Sequence, residues 1–232
     1  MNILVLGKPG AGKGSVAEVI KEKRDITHLS TGEIFRKEIA SKTELGILAK
    51  SFIDKGNLVP DEITNEIIKN VLKKDPSKSY LFDGYPRTVN QAIFLKDAMK
   101  DLGMNLDGVF DLEVEDSLVI ERLTSRRVCK KCSMIYNTRN HNPKVEGVCD
   151  NCGGEIIQRD DDKIDSIKAR LVMYQNQTKP LIEFYKNEGL LHKVDGSKDA
   201  IDCYYDIMEI LNAEFKIIPR GVKHLYDSSR DN

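Results

Sequence analysis

MNILVLGKPGAGKGSVA, residues 1–17, is the stretch on which the fold turns. Ile3, Leu4, Val5 and Leu6 form a short run without a polar residue, the pattern of a strand buried on both faces of a sheet. The run breaks into Gly7-Lys8-Pro9-Gly10-Ala11-Gly12-Lys13-Gly14-Ser15, and a helical pattern follows from Ser15 to Lys23. Glycines adopt main-chain angles that other residues avoid and let the backbone approach a ligand closely. Successive N–H groups of such a loop point inward, the helix N-terminus adds positive potential, and Lys13 adds a full charge. A polyphosphate fits such a cradle, so the stretch implies a bound nucleoside triphosphate. The general phosphate-loop pattern has Ser or Thr directly after the lysine. Here Gly14 intervenes and Ser15 comes next. The competing reading, a plain glycine turn, leaves the spacing of lysine and hydroxyl unexplained.

Composition bounds the rest. The 232 residues suffice for one sizeable α/β domain with insertions or for two small ones, and 40% hydrophobic with 31% charged residues is a globular balance. A net charge of −1 gives no general attraction to nucleic acid or anionic membrane, so any anion site must be a local cluster of basic residues. The chain has no 18-residue apolar run and enters its first strand without a signal peptide, which makes the cytoplasm the expected location. Four of its five cysteines lie in two Cys-x-x-Cys pairs, which in a reducing compartment suggests metal rather than disulfides.

Along the chain, strands are expected at 26–29, 80–83, 109–114 and 190–194. Helices are expected at 31–42, opened by a Ser30-x-x-Glu33 capping box, at 45–55, and from Pro60 with Ile63, Ile67 and Val71 on one face. Further helices are expected at 89–102, 116–127 and 165–186, the last kinked or split by Pro180, and from a Ser197 cap with Ile201, Tyr204, Tyr205, Met208 and Leu211 on one face. Alternating strands and helices imply a parallel sheet covered on both faces.

Three constellations carry chemistry. Cys129-x2-Cys132, sixteen residues, then Cys149-x2-Cys152 is four-thiolate spacing, with zinc the default metal and iron the alternative. Four thiolates leave no open coordination position, so the metal should be structural. A nucleic-acid role for this ribbon is poorly supported, because Tyr136 is its only aromatic and Glu146, Asp150 and Glu155 offset its lysines. Second, Arg122, Arg126 and Arg127 precede the cysteine region, with the first two at i, i+4 on one expected helical face; Arg159 follows it, and Arg170 lies on the next helix. They could be a solvated face paired with Asp160, Asp161 and Asp162, or cations on a flap that closes over phosphates and excludes water. Third, Asp83 ends a strand before Gly84-Tyr85-Pro86-Arg87, where an open α/β sheet places its ligands. It could begin a turn, or it could hold magnesium directly or through water.

Taken together these residues resemble the adenylate kinase family of nucleoside monophosphate kinases. The resemblance spans 1 to about 212. It rests on Gly-x-Pro-Gly-x-Gly-Lys-Gly-Ser at 7–15, Ser30-Thr31-Gly32 with Arg36, Gly56-Asn57-Leu58-Val59-Pro60, Asp83-Gly84-Tyr85-Pro86-Arg87 with Gln91, Arg126-Arg127, and Arg159 with Asp161-Asp162. It implies a three-layer α/β/α phosphate-loop fold around a five-stranded parallel sheet. The expected partition is a core of 1–29, 60–121 and 160–212, a monophosphate-binding insertion of 30–59, a zinc-bearing lid of 122–159, and a tail of 213–232 that the sequence leaves open.

The resemblance further implies transfer of the ATP γ-phosphoryl to AMP, giving two ADP, with magnesium accompanying ATP and one structural zinc held by Cys129, Cys132, Cys149 and Cys152. Gly10, Gly12, Lys13, Gly14, Ser15, Arg122, Arg126 and Tyr136 would serve ATP. Thr31, Arg36, Val59, Gly84, Arg87, Gln91, Arg159 and Arg170 would serve AMP. Lys13, Asp83, Arg87, Arg126, Arg159 and Arg170 would surround the transfer. The expected partners are these nucleotides alone, with neither nucleic acid nor membrane, and the expected state is a monomer. Lys8 is a departure inside the loop that puts its phosphate affinity in question.

Overall fold

The computed structural model describes residues 1–54 and 57–215; of the motifs above, Gly56 and the tail beyond 215 lie outside the described residues. The elements, in chain order, begin with β1 (Asn2–Gly7), α1 (Lys13–Lys23), β2 (Thr27–Ser30), α2 (Thr31–Ala40), α3 (Glu44–Ile53) and α4 (Asp61–Lys74). Next come β3 (Tyr80–Asp83), α5 (Val89–Asp101), β4 (Gly108–Glu113), α6 (Asp116–Ser125), β5 (Arg126–Cys129), β6 (Ile135–Asn137) and β7 (Ile156–Ile157). The last described elements are α7 (Ile164–Met173), α8 (Pro180–Asn187), β8 (Leu191–Asp195) and α9 (Ala200–Phe215).

The expected parallel sheet is present, ordered β2-β3-β1-β4-β8 with β1 in the middle. Ile3 to Leu6 are all buried there, and their alternation divides the protein's apolar mass. Ile3 and Val5 face one core with Ala17 and Ile20 of α1, Leu123 of α6, and Ile207 and Leu211 of α9. Leu4 and Leu6 face the other, with Ile68 and Leu72 of α4, Leu95 and Met99 of α5, and Leu181 and Tyr185 of α8. Each wholly buried Leu or Ile side chain contributes about 1.5–3 kcal/mol, so β1 is fixed in depth from both sides. Its C-terminal end, where the glycine loop starts, then lies beside the ends of β3 and β4, because Val5 pairs with Asp83 and Gly7 with Leu112.

Two smaller cores stand apart from these. Phe35, Ala49 and Val59 pack together around α2 and α3. Cys129, Tyr136 and Cys149 pack within a second, antiparallel sheet ordered β6-β5-β7.

Several local expectations are corrected. Arg126 is not a helical neighbour of Arg122: α6 stops at Ser125, and Arg126 is extended (φ −66°, ψ 138°) because it pairs with Asn137 in the second sheet. Ser30 makes no side-chain cap, since its backbone belongs to β2 and Glu33 lies against His28 and Glu18 instead of reaching back. Thr43 and Thr88 do cap, accepting from the N–H groups of Gly46 and Gln91. On α4 the deepest positions are Thr64, Ile68 and Leu72, with Ile63, Ile67 and Val71 flanking them. Pro180 does not break its helix outright: Tyr174–Thr178 widens into a π turn, in which Lys179 N–H donates to Tyr174 O (2.8 Å), and Pro180 starts α8 where its missing N–H costs little. Ser197 bonds the Asp195 carboxylate and α9 begins three residues later, burying Cys203 and Ile207 and leaving Tyr205 exposed.

Candidate active site

The phosphate loop is built by three left-handed glycines, Gly7 (φ 138°), Gly10 (φ 82°) and Gly12 (φ 98°). At Gly10 the need for glycine is also spatial, because a Cβ would lie 2.8 Å from Leu123 Cγ of α6. Lys13 opens α1, and its ammonium donates to Gly7 O (2.7 Å) and Lys8 O (2.8 Å), closing the loop into a ring. Burial pushes the Lys13 pKa down to about 8, with the charge of Asp83 opposing. Lys8 points out of the cradle: its ammonium donates to Val114 O (2.8 Å) and Asp116 Oδ1 (2.6 Å). Its charge is therefore spent at the start of α6, away from the phosphate position.

Asp83 stands at the end of β3 with its side chain 13% exposed, and His28 of β2 contacts its Oδ2 through Nε2 (3.3 Å). Burial acts to raise the Asp83 pKa, yet the His28 hydrogen bond and the charges of Lys13 and Arg87 hold it below the usual carboxylate range. His28 moves the other way: burial would lower it, but Asp83, Glu33 and Glu18 raise it.

The arginines converge as a cluster rather than a solvated face. Arg126 forks onto Asp162, Nε to Oδ2 (2.8 Å) and Nη2 to Oδ1 (2.6 Å). Arg159 forks onto Asp161 in the same manner, at 2.8 and 2.5 Å. Arg170 joins both, with Nη1 on Asp161 O (2.8 Å) and near Asp162 Oδ1 (3.3 Å). Burial lowers Arg36 and Arg170 to about 10 each, and Arg126 and Arg159 add repulsion at both. Burial lowers Arg87 as well, with Arg159 repelling it. Asp161 is held low by Arg170 and Arg159 against the effect of burial. Lys13 and five guanidiniums thus share one field. Asp83, Asp161 and Asp162 sit inside that field as counter-charges, and phosphates are the anions that could replace the last two.

The residues expected to serve AMP gather around Gly84 and Gln91. Thr31 Oγ1 donates to Gly84 O (2.8 Å), and so does Arg87 Nε (2.8 Å). Arg36 lies against Gly32, where an added Cβ would be 3.0 Å from its Nη1. Val59 is buried with Phe35. Gln91 is 2% exposed; its Oε1 accepts from Arg87 N–H (2.7 Å) and its Nε2 donates to Asp61 Oδ1 (2.7 Å). A carboxamide has two donors and two lone pairs, so Gln91 fixes the Arg87 turn and retains one of each. Asp61, which also accepts from Thr88 (2.8 Å), escaped sequence reading because nothing local marks it.

Arg122 lies beside the loop, donating to Gly196 O (2.7 Å) and Ser197 O (3.0 Å). Ile135 of β6 approaches Gly14, 3.8 Å from where its Cβ would be, so the cysteine-bearing sheet hangs over the start of α1. Within that sheet the four Sγ atoms all lie within 4.8 Å of one another, with Cys129–Cys152 and Cys132–Cys149 each at 3.5 Å. Four sulfurs about 2.3 Å from a tetrahedral zinc stand roughly 3.8 Å apart, so the cluster fits that ion. The Tyr136 ring is buried, and its hydroxyl donates to Cys149 Sγ (3.4 Å) and accepts from Asp150 N–H (2.8 Å), so its side chain braces the thiolates. That hydrogen bond draws Cys149 down to about 6, favouring the metal-binding thiolate.

Residues 5–190 match the family model described as adenylate kinase. The chain belongs to the adenylate kinase family. An adenylate kinase of Clostridium tetani is 47% identical over 214 residues, covering 92% of this chain and 99% of the relative. One from Fervidobacterium nodosum is 48% identical over 212 residues (91% and 97%), and one from Caldicellulosiruptor saccharolyticus is 46% identical over 215 residues (92% and 100%). Among the described residues no helix is long and apolar enough to cross a membrane.

Proposed function

We propose that this chain, as its adenylate kinase relatives are named to do, catalyses the reversible transfer of the ATP γ-phosphoryl to AMP, giving two ADP. The observation that carries the reading is the convergence of Lys13, Arg36, Arg87, Arg126, Arg159 and Arg170 on the mouth of the glycine loop, charge for two phosphorylated ligands rather than one. An oxygen of the AMP phosphate attacks the γ-phosphorus in line. The bond from that phosphorus to the β,γ-bridging oxygen breaks, and its electron pair leaves with ADP. No strong base is needed, since the attacking oxygen is already anionic. Positioning and electrostatics supply the catalysis.

In this reading Gly10, Gly12, Gly14, Lys13 and Ser15 hold the triphosphate and Arg122 lies along the adenosine. Arg36 and Arg87 clamp the AMP phosphate, while Thr31, Val59, Gly84 and Gln91 line its base. Arg126, Arg159 and Arg170 exchange their aspartates for phosphoryl oxygens. Ser15 and Asp83 would hold magnesium, which would supply charge neutralisation for the phosphoryl transfer. The four cysteines hold zinc as a structural ion. The partition is a core of 1–29, 60–121 and 160–212, an AMP-side insertion of 30–59 and a lid of 122–159. A cytoplasmic monomer acting on free nucleotides, without nucleic acid or membrane, completes it.

The test is a coupled assay of purified protein with MgATP against AMP, CMP, UMP and GMP. AMP should dominate, because the spare donor and acceptor of Gln91 match the adenine edge. Preference for CMP or UMP would redirect the acceptor, and absence of ADP from ATP and AMP would overturn the reading.

A further inference from the structure

We infer that His28 is a positioning residue for the reaction: its Nε2–H locks one oxygen of Asp83 so that the other is aimed at the metal of the bound nucleotide. The inference rests on the proposed role of Asp83 towards magnesium. His28 and Asp83 meet through strand register, because β2 pairs in parallel with β3 and Ser30 stands opposite Asp83, two residues beyond His28 on the same face. The imidazole is 4% exposed, and Nε2 lies 3.3 Å from Asp83 Oδ2. An ionised carboxylate only accepts, so the proton between them belongs to Nε2, in the neutral ring and in the imidazolium alike. Asp83 Oδ1 makes no hydrogen bond among the described residues. One oxygen is thus pinned from the β2 side and the other is left for a ligand.

The protonated ring also has a counter-charge on its other side: Nδ1 faces Glu18 Oε1 of α1 at 3.6 Å, and the Glu18 carboxylate is tied by Lys21 (3.0 Å). The strut Glu18–His28–Asp83 therefore connects the helix that opens on the phosphate loop to the carboxylate at the end of β3. Without it the Asp83 carboxylate is free to swing towards Lys13 and Arg87, whose charges already act on it. A hydrogen bond that orients a metal-side carboxylate is worth on the order of 10–100-fold in metal affinity or activity.

The test compares His28→Leu, which keeps volume and loses the donor, with His28→Gln, which offers an amide N–H at similar reach. Manganese replaces magnesium, and its dissociation constant from the ATP-loaded full-length enzyme is read by electron paramagnetic resonance alongside kcat and the KM for AMP. His28→Leu should weaken manganese binding and kcat about tenfold or more with the KM for AMP unchanged, and His28→Gln should recover most of both. Adding His28→Leu to Asp83→Asn should cost nothing further, since the histidine acts through that carboxylate. Wild-type manganese affinity in folded His28→Leu, or equal losses in the Leu and Gln variants, would overturn the inference while leaving Asp83 in place. Wild-type affinity in Asp83→Asn would remove the metal role of Asp83 and the inference with it.

Discussion

Asp162 is where the site's charge balance can be tested most sharply. Its side chain has no exposed surface, and it holds Arg126 through two hydrogen bonds of 2.8 and 2.6 Å with Arg170 at 3.3 Å. Asp162→Asn keeps the shape and removes the charge. Removing one partner of a buried ion pair costs about 3–5 kcal/mol, because the other is left uncompensated. Arg126 and Arg170 retain 17% and 20% of their side-chain exposure, and Asp161 still faces Arg170 at 3.2 Å, so water and Asp161 absorb part of the loss. The lower end, about 3 kcal/mol, is the expected value. For a chain of this size each kcal/mol moves the melting temperature by roughly 2–4 °C, which gives a fall of about 6–12 °C.

Nucleotide should shrink that difference. If phosphoryl oxygens take over Arg126 and Arg170 in the complex, the Asn variant loses less there, and a saturating bisubstrate dinucleotide should raise its melting temperature by more than it raises that of the wild type. Calorimetric melts with and without the dinucleotide measure both quantities. A fall below about 2 °C would refute the buried-pair reasoning, since that corresponds to less than about 1 kcal/mol. An identical fall with and without dinucleotide would refute the exchange of aspartate for phosphate. Asp116→Asn, which removes the exposed partner of Lys8, is the control and should cost no more than about 1 kcal/mol.

The ATP affinity should depend on pH through Lys13: the free enzyme loses this proton near pH 8, bound polyphosphate raises the pKa, and binding therefore takes up a proton above that pH. The Kd is expected to be flat below about pH 7 and to rise by up to about tenfold per unit above 8; a calorimetric titration showing constant Kd to pH 9.5 would contradict it. Metal analysis should find one zinc per chain, and a strong chelator should lower the melting temperature, because thiolate ligation contributes folding energy; a metal-free preparation with unchanged stability would remove the zinc. Gly10→Ala should cost about 1–3 kcal/mol through its positive φ and the 2.8 Å approach to Leu123, whereas Gly14→Ala, which meets nothing nearer than 3.8 Å, should stay within about 1 kcal/mol in urea unfolding.

What could be read in advance divides along a physical line. Ile3–Leu6 and the glycine loop were legible because a doubly buried strand, left-handed glycines and a helix start are local requirements written in consecutive residues. The cysteine knuckles were legible because two short spacings suffice to bring four sulfurs within 4.8 Å. Arg126 was misread as helical because its conformation is set by a partner eleven residues away, Asn137, and not by its own neighbours. His28 was invisible for the same reason at longer range: its contact with Asp83 exists only once β2 and β3 align. Gln91 and Tyr136 show a third limit. Residue type gave their hydrogen-bonding capacity, but the groups that use it, Arg87 and Asp61 for one and Cys149 and Asp150 for the other, emerge only from packing.

The metal knuckles and the arginine cluster are one device seen from two ends. Arg126 begins β5 and Cys129 ends it, a span of three residues or about 10 Å in extended chain. On the far side of the same sheet β6 carries Ile135 over Gly14 and Tyr136 under Cys149. A two- or three-residue strand has too few ladder bonds to hold a long arginine against the repulsion of Arg36, Arg159 and Arg170. Four thiolates on one ion supply what the short strands lack, a fixed origin from which Arg126 is aimed. Asp162 supplies the opposing pull in the free enzyme. The guanidinium is thus restrained at its root by the cysteine cluster and at its tip by Asp162, and under the proposed exchange only the tip has to change partner.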